Sequence, residues 1–144
     1  MTQTAEVALR QATLYSDGRI YRLLQLPPNA ITLAAALVAE AALPFSALLA
    51  DKDEVTLLLP DDVCQEFARR LRYATISDEA YRQITFDIEL DSALVGFMAL
   101  VSRALADNGI PILTYAAFSR DHVVLRDHDF DKAMHTLNQL QKTA

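Results

Sequence analysis

Few side chains in this sequence stand where they could do chemistry. Asp87, Glu89 and Asp91 alternate along one predicted strand and so share a face. Such a row can hold a cation or an amino group, or it can be a solvated sheet face. Asp91 differs from the other two because it lies where the strand passes into a helix. There a carboxylate either caps open helix N–H groups or contacts a ligand. Gly96 follows in an early turn of that helix, where glycine costs about 1 kcal/mol relative to alanine. Two explanations fit it: backbone brought close to a ligand near open N–H groups, or tight packing of the helix on its strand. The chain has only three glycines, and the others have local work, Gly18 in a turn and Gly109 at a helix end.

The remaining reactive groups point to structure more than to catalysis. Asp127-His128-Asp129 with Asp131 lacks the glycine and distal glutamate of an EF-hand loop, and acids at a helix start already satisfy its dipole. His122, His128 and His135 are spread over strand, loop and helix, so no metal site and no cofactor is expected. Cys64, the single cysteine, excludes an internal disulfide and reads as a buried thiol beside Phe67. No base and nucleophile pair in one plausible site, so the chain is not expected to be an enzyme.

Composition narrows the classes further. With 144 residues, 52% of them hydrophobic, the chain can bury a real core. A net charge of −6 argues against nucleic acid and against anionic membrane surfaces as partners. The start, MTQTAEVALRQ, has no apolar signal core, and Ile31 to Leu43 is too short and too interrupted to span a bilayer. A cytoplasmic location is the expectation.

These residues must be positioned by alternating strands and helices. Leu9 to Tyr15 and Ile20 to Leu26 flank Ser16-Asp17-Gly18-Arg19 and predict a hairpin. Ile31 to Ala42 is helical by composition, and Pro44 stops it. Phe45 to Ala50 and Val55 to Leu59 predict a second hairpin. A helix with Val63, Phe67 and Leu71 inside follows, then a short strand over Tyr73 to Ile76. The pattern restarts with the alternating strand Gln83 to Leu90 and a helix over Ala93 to Asp107. A third hairpin joins Ile110 to Phe118 with His122 to Arg126, and a final helix carries Phe130, Leu137 and Leu140.

Each half thus runs strand, helix, hairpin, helix, and Asp53-Glu54-Val55-Thr56-Leu57 parallels Asp121-His122-Val123-Val124-Leu125. Two split βαβ units fit this order. The first half finds its fourth strand at Tyr73 to Ile76, whereas no strand remains after the last helix. The spare N-terminal strand is expected to fill that gap in the second unit's sheet. The predicted class is α+β with two ferredoxin-like βαββαβ units, residues 1–78 with the N-terminal strand and residues 79–144.

Tandem units of this kind resemble ACT domains. The stretch from Asp91 through Gly96 to Leu100, continuing over Leu105-Ala106-Asp107-Asn108-Gly109-Ile110, is similar to the ACT pattern, in which a strand ends near an acid and a Gly-Ile closes the helix. The run from Ile112 to Leu125 and Leu24-Gln25-Leu26-Pro27-Pro28 resemble the CASTOR-like subgroup, itself similar to the regulatory part of aspartate kinase. The resemblance implies a non-enzymatic regulatory module that binds an amino acid or similar small metabolite at an interface between two units. It implies ligand contacts from Asp91, Val95, Gly96, Phe118 and Asp121, with Ser46 facing them by pseudo-symmetry. The subgroup usually has small hydroxyl residues where this chain has Ala116-Ala117, which favours the alternative of a structural or interaction protein with a decayed pocket, paired as a homodimer through exposed sheet edges. An acylphosphatase-like enzyme would need an arginine and a glycine-rich loop after the first strand, where Pro27-Pro28-Asn29 stands. An RNA binder would need the missing aromatic pattern.

Overall fold

A computed structural model describes residues 3–144. Met1 and Thr2, part of the start read above for a signal segment, lie outside the described residues. Along the chain come α1 (Ala5–Gln11), β1 (Thr13–Tyr15), β2 (Tyr21–Leu26), α2 (Ile31–Ala41), β3 (Ala47–Ala50), β4 (Val55–Pro60) and α3 (Asp61–Glu66). Then follow β5 (Thr75–Ile76), β6 (Tyr81–Asp87), α4 (Phe97–Asp107), β7 (Ile112–Ala116), β8 (Asp121–Arg126) and α5 (Phe130–Thr143). The class is α+β, with two ferredoxin-like units. One compact unit is Arg19–Tyr81; the other joins the chain up to Gly18 with Arg82–Ala144.

Within the Arg19–Tyr81 unit the strand order is β5-β2-β4-β3. Leu24, Leu26, Val55, Leu57 and Leu59 alternate onto one face and form a core with Ala34, Leu37, Val63 and Leu71. The tip of the β3–β4 hairpin is closed by Asp51, whose Oδ1 accepts from the N–H groups of Asp53 and Glu54 at 2.8 and 2.9 Å. The α3 helix is shorter than the periodicity suggested, and Leu71 is buried from an irregular turn beyond it.

The second unit has strand order β1-β6-β8-β7. The N-terminal strand supplies the missing fourth strand here, with Thr13, Leu14 and Tyr15 opposite Asp87, Phe86 and Thr85. It is shorter than predicted, and it pairs with β6, so the first expected hairpin does not form. Residues 5–11 are a helix instead. Thr4 Oγ1 accepts from the Val7 N–H at 3.2 Å, and Glu6 and Arg10 sit at the matching ends of the helix dipole. Ala5, Ala8, Leu9 and Ala12 recur at helical spacing and bury against Ile84, Phe86, Val101, Leu105, Val123, Leu125 and Leu137.

Two further departures bear on the site. The β6 strand ends at Asp87, where the Ile88 N–H turns back to the Phe86 carbonyl at 2.9 Å and breaks the ladder. Asp87, Glu89 and Asp91 therefore do not line up along one strand. Nor is their neighbours' face solvated: Gln83 and Thr85 are 1% and 8% exposed.

The burial of α1 has a measurable consequence. Leu9→Ala removes a fully buried side chain and is expected to lower unfolding free energy by about 2–5 kcal/mol. Leu49→Ala, at a position 60% exposed, should stay within about 0.5 kcal/mol of the parent. Urea denaturation of both variants checks this, and a near-neutral Leu9→Ala would mean that the helix is not docked.

Candidate functional site

The segment between β6 and α4 holds its shape through short-range bonds. Asp91 Oδ1 accepts from the Ala93 N–H at 2.9 Å, and the Asp91 carbonyl accepts from the Leu94 N–H at 2.9 Å. Asp91 caps this turn and not the helix. The helix begins later than predicted, at Phe97, with Gly96 as its cap residue in the left-handed region, φ +87°. A Cβ built on Gly96 would meet nothing within 4 Å. Tight packing is thus not what requires this glycine; the positive φ is. Phe97 then anchors the helix start, its ring edge-on to Phe86 with centroids 5.4 Å apart.

Two contacts fix this segment in place. The Leu90 N–H donates to the Ser119 carbonyl at 2.8 Å, which ties it to the β7–β8 hairpin tip. Gln3 holds it from the other side. Its Oε1 accepts from the Asp91 N–H at 2.8 Å, and its Nε2 donates to the Glu89 carbonyl at 3.1 Å. Nothing in the local sequence around Gln3 marks it for this role, because its partners lie 86 and 88 residues away.

Between this segment and the hairpin tip lies a cleft of about 410 Å³. Asp91, Gly96, Phe118 and Asp121 all line it, so four of the six predicted site residues come together. Arg120, Ser92 and Met98 line it as well and were not singled out from the sequence. Val95 is not part of the lining and is 86% exposed. Ser46 is half-buried in the Arg19–Tyr81 unit, just before β3, and does not line this cleft. No side chain caps the first turn of α4, and no acid occupies it. Its open N–H groups suit an anion.

The charges around the cleft are partly committed. Arg120 Nε donates to Asp87 Oδ1 at 2.9 Å, and its Nη1 donates to Ser119 Oγ at 2.8 Å. Burial holds the Asp121 carboxyl above its ordinary range, an effect that the neighbouring His122 partly offsets. His122 in turn ends a polar chain across β6. The Asp17 N–H donates to Gln83 Oε1 at 3.1 Å, which fixes the amide so that Nε2 donates to Thr85 Oγ1 at 2.5 Å. The Thr85 proton is then directed to His122 Nδ1, 2.7 Å away. That geometry suits a neutral imidazole, and burial lowers the His122 pKa below 6.5.

The other groups weighed from the sequence are engaged elsewhere. Asp127 pairs with Arg82 at 3.3 Å and Asp129 with Arg126 at 2.9 Å. Among the described residues no cluster of His, Cys, Asp and Glu could hold a metal ion. Cys64 is 4% exposed, and burial, with Asp61 adding to it, pushes its thiol up to about 11. That leaves it a poor nucleophile.

Two outcomes test these local arrangements. Gln3→Ala should speed amide exchange at Asp91 on the order of tenfold while costing no more than about 1 kcal/mol of global stability; unchanged exchange would deny the clamp. For His122, the unfolded chain takes up a proton near pH 6.5 and the folded chain only at lower pH. The unfolded state binds more protons in that window, so stability falls as pH drops through it. Asp121 acts oppositely, since its burial cost is relieved as pH falls through its raised folded value. In His122→Gln the first slope vanishes, so the parent's advantage over the variant should shrink between about pH 7.5 and about pH 5. Urea midpoints at both pH values decide it, and a constant difference would count against a depressed His122.

Residues 76–139 match the family model for the ACT domain. No curated protein matches the chain. Among solved structures, a Vibrio cholerae protein of unknown function is 19% identical with a TM-score of 0.73, covering 94% of each chain. The regulatory subunit of aspartate kinase from Thermus thermophilus is 15% identical with a TM-score of 0.67, over 90% of this chain and 98% of that one. Aspartate kinase from Clostridium acetobutylicum is 12% identical with a TM-score of 0.64, over 85% of this chain and 33% of the enzyme. Among the described residues no helix is long and apolar enough to cross a membrane. The chain shares its fold with aspartate kinase regulatory subunits, and its residues 76–139 are similar to the ACT domain.

Proposed function

We propose that this protein is a non-enzymatic regulatory module that senses an amino acid or a similar small metabolite. The observation that carries the reading is the cleft itself, where Asp91, Gly96, Phe118 and Asp121 meet within the segment that matches the ACT domain. The likeness to aspartate kinase regulatory subunits supports a regulatory role. In this reading the ligand carboxylate sits at the open N–H groups beside Gly96, and the ammonium group is taken by Asp91 or Asp121. Val95, exposed between the lining residues Leu94 and Gly96, would be the aliphatic contact in this reading. Along the sequence the two ACT-like units would divide as residues 1–78 and 79–144, with the N-terminal strand β1 of the first segment paired in the sheet of the second.

One observation favours a second reading, a structural or interaction protein whose pocket has decayed. Ala116 and Ala117 are exposed at the hairpin and offer no hydroxyl to a ligand. Pairing of two copies through the outer strand of a unit, β7 or β3, would then be its working state.

Thermal-shift titration with the twenty amino acids separates the readings. Ligand binding should stabilise the fold by about 2.7 kcal/mol when the ligand stands at about 100 times its dissociation constant. Asp121→Ala should weaken binding by about tenfold to a hundredfold. No stabilisation by any amino acid at millimolar levels would leave the second reading.

A further inference from the structure

We propose that the turn after α3 docks an acidic segment of a partner protein, with Arg69, Arg72 and Tyr73 as its contacts. The proposal does not depend on the ligand reading of the cleft. The chain has ten arginines. Seven pair with one of its own carboxylates at 2.6 to 3.8 Å, and Arg10 donates to the Ala144 carbonyl at 2.7 Å. Arg69 and Arg72 remain. Both are exposed, and among the described residues neither meets an acid, although the chain has 19 of them.

The turn holds these two arginines in a fixed arrangement. Leu71 between them is buried; its N–H donates to the Phe67 carbonyl at 3.0 Å, and its carbonyl accepts from Ala74 at 2.9 Å. Arg72 Nη1 donates to the Arg69 carbonyl at 2.9 Å, and the Arg72 guanidinium lies 4.9 Å from the centre of the Tyr73 ring. Tyr73 itself is 79% exposed. A guanidinium presents a planar fork of donors that matches a carboxylate. Arginine and tyrosine are the side chains that contribute most at protein interfaces, above all where the fold already orders them. Arg70 differs from its neighbours, because its Nη1 is bound to Glu40 at 2.6 Å. Beside Tyr73 a groove of about 260 Å³ is lined by Leu26, Pro27, Pro28 and Thr75. Asp53 and Glu54 line it too, so it admits an uncharged side chain of the segment and not an acidic one. Charge also decides the class of partner. A short acidic segment needs only this patch. A nucleic acid carries phosphates along its whole length, and two arginines neutralise only two of them against a net charge of −6.

Fluorescence anisotropy of the full chain at low salt tests the proposal. The probe is a short labelled peptide of glutamates around one leucine. Its controls are the same peptide with glutamine in place of glutamate, and a DNA single strand of equal length. The glutamate peptide should bind at least about tenfold tighter than either control. Arg69→Ser combined with Arg72→Ser should weaken it by at least about tenfold, and Tyr73→Ala by about tenfold. Arg69→Lys combined with Arg72→Lys keeps the charge but not the fork, and should fall between the parent and the serine variant. Arg70→Ser should change binding by less than about twofold, since Glu40 already holds that arginine. Thermal unfolding by circular dichroism confirms that each variant is folded. Absence of peptide binding, equal binding by the serine variant, an equal loss in Arg70→Ser, or tighter binding of the DNA strand would overturn the proposal. Self-association of the chain that the serine variant abolishes would overturn it too, because a second copy would then be the occupant.

Discussion

Three residues from one end of the chain close the sheet that the other end leaves incomplete. The element after β8 is the helix α5 and not a strand, so without β1 the edge of β6 would be unpaired and the apolar residues beneath it open to water. Thr13–Tyr15 pairs along Thr85–Asp87 and meets the main-chain requirement. To reach that edge the chain must pass over the core of the same unit, and it does so as a helix. Ala8 and Leu9 are completely buried there, and Gln141 on α5 donates to the carbonyls of Leu9 and Ala12 at 2.9 and 2.7 Å. The unit that carries the cleft is therefore built from both ends of the sequence.

The cleft inherits its order from that arrangement. Because α1 is docked, Gln3 stands beside the segment that follows β6 and bonds it on both sides of Leu90. Phe97 locks α4 to Phe86, a residue that pairs with Leu14 of the borrowed strand. Ser119 ties the hairpin tip to the same segment. The walls of the cleft are thus held by contacts of the fold itself. On β6 the row Gln83 and Thr85 carries a directed hydrogen-bond chain to His122, next to Asp121 of the cleft. A buried polar row of this kind holds the strand register only while each donor meets its acceptor.

Much of the architecture was legible from residue patterns. The alternation of Val55, Leu57 and Leu59, the Gly109 stop and the stripe Ala133–Leu137 mark their elements, because period and punctuation are local properties. The need for a borrowed fourth strand was legible too, from the count of elements in each half. Residues 5–11 form a helix that the run Leu9 to Tyr15 masks, although Thr4, Glu6, Arg10 and the spacing Ala5, Ala8, Leu9, Ala12 all signal one. Alanine contributes so little apolar contrast that the short run Leu9 to Tyr15 outweighed it. The start of α4 is hard to place from sequence because Asp91 is a capping type of residue, while the actual cap, Gly96, works through backbone conformation alone.

The sequence by itself determined most of the elements, that they repeat, and that Asp91, Gly96 and Asp121 lie where a strand passes into a helix or a hairpin turns. Residue type and short-range spacing carry that information. Only the tertiary structure decided which strand edge the N-terminus fills, that Gln3 holds the cleft segment, and that Arg120 is spent on Asp87 and Ser119. It also decided that the face bearing Gln83 and Thr85 is buried. Each of these depends on partners tens of residues apart, and main-chain pairing at a sheet edge is indifferent to side-chain type, so nothing local in the sequence encodes it.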